Sequence, residues 1–159
     1  MSSPELRTDV SAIRSHGLAF FALLLIVALY IVGIVSHGVV RHIVQTAPVW
    51  PAAVLGMRRS VWSKWTALPC FFFWLFLMGL IWLFLLGWAH VVSGSFTTIE
   101  IAMTLVVGFC SVAGLVLAVK IKTDIQAPGA LAVFLGILIL QLLAFRISLL
   151  PAIAHDSWR

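Results

Sequence analysis

Ionisable and strongly polar side chains within apolar sequence are the first places to look for chemistry, because a bilayer makes them costly. Glu100, Gln141 and Arg146 all fall in long apolar runs. If those runs are helices, Glu100 and Arg146 sit at similar depth near one membrane face. An ion pair between them is expected, first as a lock between two helices and second as an anion or proton site. Gln141 falls near mid-bilayer, where Thr104 or Ser111 could bond to it for about 1 kcal/mol. Five histidines, His16, His37, His42, His90 and His155, bear on metal or haem chemistry. His16, His90 and His155 are expected on one face, where Glu100 and Asp156 are compatible ligands. No H-E-x-x-H spacing occurs, and no histidine lies deep in a run, where paired haem ligands belong. The reading is therefore no cofactor, with haem or metal at these three histidines as an alternative.

Covalent chemistry has less support. Cys70 and Cys110 form no C-x-x-C pair and are too few for a disulfide framework. No nucleophile elbow, P-loop, dinucleotide fingerprint or pair of intramembrane aspartates is present, so the chain does not read as an enzyme.

The elements that must position these residues follow from composition. Of 159 residues, 63% are hydrophobic and 9% charged, against about 45–50% and about 25% in soluble domains. That excludes a soluble enzyme, a disordered tail and a disulfide-stapled module. The net charge of +5 includes no basic run beyond Arg58-Arg59, so nucleic acid is not expected as a partner. A bilayer core about 30 Å thick takes roughly 20 apolar residues as a helix. Four runs meet this, over about 18–40, 68–89, 96–119 and 128–153. They lack the alternation of membrane strands. The expected fold is all-α, an integral membrane four-helix bundle forming one domain over 1–159. The first run exceeds the 7–15 residues of a typical signal-peptide core and lacks a cleavage site, so it reads as a permanent span.

Four crossings would put both tails on one face with Arg7, Arg14, Arg146 and Arg159 against Glu5, Asp9, Glu100 and Asp156. The loop face would hold Arg41, Arg58, Arg59, Lys64, Lys120 and Lys122 against Asp124. Six basic residues against four orient the loops to the cytoplasm and both termini away from it. A bacterial inner membrane is the expected location.

The connection between the first two runs is amphipathic. Over about 52–66, Val54, Leu55, Met57, Val61, Trp62 and Trp65 share an arc opposite Arg59, Ser60, Ser63 and Lys64, as in a helix lying in the membrane interface. Arg58, on the apolar side, would snorkel to a phosphate. The second run is crowded with aromatics, more than four helices can bury. Trp50, Arg58, Arg59, Trp62, Lys64, Trp65, Phe72, Trp74 and Trp82 are the expected contacts to anionic lipid or to a partner. Small residues at four-residue spacing, Cys110, Gly114 and Ala118 in the third run with Gly108 nearby, and Ala132 and Gly136, then Ala144 and Ser148, in the fourth, predict a tight hairpin of those two runs, with Gln141 in the packing face. The expected role is a non-enzymatic accessory or scaffold subunit joined to other membrane subunits or to its own copies. The alternatives are a small oligomeric transporter or channel using Arg146, Glu100 and Gln141, and a haem- or metal-binding redox subunit.

Overall fold

A computed structural model describes residues 4–88 and 96–154. The fold is all-α among these residues. In chain order the helices are α1 (Pro4–Val35), α2 (Val39–Thr46), α3 (Trp50–Met57), α4 (Ser63–Leu85), α5 (Thr98–Lys120), α6 (Ala127–Ser148) and α7 (Pro151–Ala154). A single 3-10 turn, Ala47–Val49, joins α2 to α3. Among the described residues four helices are long and apolar enough to cross a membrane: Ile13–Val35 of α1, α4, α5 and α6. The chain is a multi-pass integral membrane protein.

Three reversals share one local device. At the end of α1, His37 takes φ 54°, Gly38 N–H donates to Gly33 O at 2.8 Å and His37 N–H to Ile34 O at 3.3 Å. This bond pair caps a helix whose next residue has turned left-handed. At the end of α3, Arg59 takes φ 53°, with Ser60 N–H bonding Leu55 O at 2.9 Å and Arg59 N–H bonding Gly56 O at 3.1 Å. After α4 the same bonds close on Gly87, at φ 75°. The amphipathic pattern over 52–66 is thus cut at Met57, and α4 starts afresh at Ser63.

Two of these reversals lie between α1 and α4, so those helices run in the same direction. Contacts at both ends confirm it. A Cβ on Gly33 would lie 3.1 Å from His42 Nδ1, and one on Gly56 would lie 3.0 Å from Ala19 Cβ and Ser15 O. The segment α2–α3 therefore descends antiparallel along α1, from its C-terminal end back to its start. Val49, Ala52 and Ala53 of this segment are buried in the core. The single helix expected over about 52–66 is not formed, which is a correction to the sequence reading. The small residues Ala52, Ala53 and Gly56 allow the close approach to α1 and α4.

Helix α5 runs antiparallel to both α1 and α4. The Phe21 and Phe109 rings meet edge-on at 5.9 Å. Arg14 donates to Lys120 O at 2.7 Å and Lys64 Nζ to Ile121 O at 3.0 Å. These two carbonyls end α5, where cations offset the orphan acceptors and the negative end of the helix dipole. At its other end, Thr97 and Glu100 form a capping box: Glu100 Oε2 accepts from Thr97 N–H at 2.7 Å, and Thr97 Oγ1 accepts from Glu100 N–H at 3.3 Å.

The hairpin predicted between the third and fourth runs is not formed. Helix α5 packs on α1 and α4, whereas α6 packs on α4 and α2 and hardly touches α5. The Gly114 notch is filled by the Phe71 ring of α4. Residues 121–126 are non-helical and extended enough, at about 3.3 Å per residue, to carry the chain past α5 to the far side of α4.

Candidate functional site: a buried polar seam at an interrupted helix

Pro48 and Pro51 divide α2 from α3. A proline removes a backbone donor and a carbonyl's usual partner, and at membrane depth such groups must be satisfied by other protein atoms. Here the side chains of α2, α4 and α6 converge on the break. Cys70 Sγ of α4 lies 3.3 Å from Pro48 O and donates to it. Gln141 Nε2 of α6 donates to Gln45 O at 2.9 Å, and Gln45 Nε2 donates to Ser148 Oγ at 2.9 Å. Ser148 in turn donates to Phe145 O at 2.6 Å. The Thr46 hydroxyl donates to His42 O at 2.9 Å and lies 3.3 Å from Tyr30 Oη. The ring of His42 bonds Gly38 O at 2.8 Å through Nδ1. Gln141 is 0% exposed and Gln45 and Thr46 are buried with it.

One acceptor in this seam has no partner: Gln141 Oε1 is buried and unbonded. So is Trp74 Nε1 on α4, in a side chain 1% exposed. A buried unpaired polar atom costs on the order of 1–3 kcal/mol, so Gln141 Oε1 is the place in the seam where a small donor would be held.

The remaining sequence expectations fall elsewhere. Glu100 and Arg146 are not brought together: Glu100 caps α5, while Arg146 is exposed in the last turn of α6, beside that helix's own dipole. Gln141 meets Gln45 rather than Thr104 or Ser111, whose hydroxyls donate to Ile101 O and Val107 O within α5. Trp74 is core, packed edge-on against Phe73 at 5.7 Å, and is not a surface contact. Trp50, Phe72 and Trp62 are exposed and Trp82 is half-buried. Arg58 and Arg59 are exposed, and Lys64 lies 5.0 Å over the Trp65 ring. Trp65 Nε1 donates to Thr123 Oγ1 at 3.2 Å. Gly114 is buried against Phe71 of α4 and Ala118 is buried as well, while Ala132 and Gly136 are exposed and a Cβ on Gly108 would meet nothing within 4 Å. His16 is exposed; His90 and His155 lie outside the described residues. Among the described residues no cluster of three potential metal ligands occurs.

Sequence reasoning passed over Gln45 and Thr46, and read Ser148 only as a small packing residue. The signal was present: two prolines three residues apart after Gln45-Thr46, in a segment too polar for a surface of lipid contacts. No family model matches this chain, and neither a curated protein nor a solved structure is similar to it.

Proposed function

We propose that the protein is a non-enzymatic subunit of a membrane assembly, bound to its neighbours through helix faces that it leaves open. The supporting observation is the set of mid-helix glycines with nothing near them. A Cβ built on Gly79 of α4, Gly108 of α5 or Gly136 of α6 would meet no atom within 4 Å. Glycine in a helix interior is destabilising by roughly 0.5–1 kcal/mol relative to alanine, and in membranes it serves close helix approach. Among the described residues no helix makes that approach. Ala132 and Gly136 sit one turn apart on the exposed side of α6, a face suited to a helix of a second subunit.

Gly136→Leu tests the reading. The substitution meets open space, so helical content and thermal stability should hold. The mass of the particle in mild detergent should fall from an assembly to a single chain. A single chain for the unsubstituted protein in the same detergent overturns the proposal.

A second reading, a small oligomeric transporter or channel, is favoured by the unpartnered Gln141 Oε1 beside an interrupted helix, the arrangement in which transporters expose backbone and amide groups to cargo. Its path would run by Gln45 and Gln141, with Glu100 and Arg146 at the rim. In liposomes containing a trapped pH dye, proton entry through the protein should disappear in Gln141→Leu. Equal traces for protein-free and protein-containing liposomes exclude that path.

A further inference from the structure

The stretch Val39–Met57 comprises pieces of eight, three and eight residues, which at about 1.5 Å each reach about 28 Å. That matches a bilayer core of about 30 Å. Its two ends lie against the two ends of the apolar part of α1, at Gly33 and at Ser15–Ala19. Between Arg41 and Arg58 it carries no formal charge, with His42 neutral. Arg14 of α1 and Lys64 of α4 converge on consecutive carbonyls of α5, which requires that α1 and α4 start on the same side. We infer that Val39–Met57 crosses the bilayer as an interrupted fifth pass, and that the end of the molecule it returns to is a docking surface for anionic phospholipid headgroups on the cytoplasmic leaflet.

The fifth pass redistributes the charge. Arg7, Arg14, Arg58, Arg59, Lys64, Lys120 and Lys122 come to one side, against Glu5, Asp9 and Asp124. Arg41 and Arg146 come to the other with Glu100; Asp156 and Arg159 follow α6 outside the described residues. Seven basic residues against two place the basic side in the cytoplasm. Arg7 and Arg14, close to the start of the first span, belong to this basic side. The N-terminus is then cytoplasmic, and the fourth long helix leaves the membrane on the opposite face. On the basic side Arg58, Arg59, Lys120 and Lys122 are exposed, next to the amphipathic rings of Trp62 and Trp65. Basic side chains near an anionic leaflet attract its headgroups, and aromatic rings settle at that depth. This inference is independent of the proposed assembly role.

Single cysteines at His37, Ser60, Thr97 and Thr123 test the crossing. Native Cys70 and Cys110 are buried and serve as the silent background. An impermeant maleimide added to intact cells should label His37→Cys and Thr97→Cys. Ser60→Cys and Thr123→Cys should label only after permeabilisation. Labelling of His37→Cys and Ser60→Cys from the same side overturns the fifth pass, and the inverse pattern overturns the orientation. For the headgroups, the unfolding temperature should rise when phosphatidylglycerol replaces part of the phosphatidylcholine in a nanodisc. That rise should vanish in the triple variant Arg58→Gln, Arg59→Gln, Lys122→Gln, and inorganic phosphate added to neutral nanodiscs should not reproduce it. Equal temperatures in both lipids, or a rise that phosphate reproduces, overturn the headgroup surface.

Discussion

Replacing Gly114 with valine is expected to destabilise the protein by about 1–3 kcal/mol, the usual range for overpacking a dense core. The added Cβ overlaps the ring of Phe71, which is itself 0% exposed. Phe71→Ala should cost more, about 3–5 kcal/mol, because it leaves a cavity between α4 and α5. The two effects share one space. In the double variant the new methyl groups occupy part of the vacated ring volume, so the combined loss should fall short of the sum by on the order of 0.5–3 kcal/mol. Thermal unfolding in a fixed detergent reads all three. Strict additivity would mean that Phe71 does not sit in the Gly114 notch.

Gly56→Leu is the second large effect. Its Cβ would stand 3.0 Å from Ser15 O and 3.1 Å from Ala19 N, which are backbone atoms of α1 and cannot rotate away. The expected loss is at least the roughly 1–3 kcal/mol of an overpacked site, with α3 lifted off α1. Gly79→Leu and Gly136→Leu are the matched controls for the fold of the single chain, read in a detergent that dissociates any assembly, because the same side chain there enters open space. A sharp drop in unfolding temperature for Gly56→Leu alone reports the docking of the interrupted pass on α1. No difference between the three would show that α3 lies elsewhere.

The four long helices were legible because membrane crossing imposes one simple demand, a charge-free apolar run of the right length, and that demand is local. The path between them was not. His37 and Arg59 hold a conformation that glycine favours, so neither helix stop carried the residue that usually announces it. The amphipathic arc over 52–66 drew residues from two separate helices and a turn into one pattern. Gly114 was correctly singled out as a close-approach residue, but spacing says only that something comes near. It does not say that the something is a phenylalanine of α4. The capping box at Thr97 and Glu100 was readable as T-x-x-E, and the prior expectation of an Arg146 partner hid it. Gln141 reads as buried and bonded, while its partner Gln45 lies in the connection between the first two runs, which no apolar run marks as core.

Two bonds of the polar seam join residues 96 and 103 positions apart. During synthesis, the amide groups of Gln45 are made long before Gln141 and Ser148 exist. Until the last long helix leaves the ribosome, those groups have only water or lipid to face, and lipid offers no hydrogen bonds. The polar segment therefore has little thermodynamic reason to settle into the membrane when it first emerges. Its insertion is tied to completion of the chain, so a nascent protein stopped before Gln141 would differ from the finished one in the course of its earliest turns.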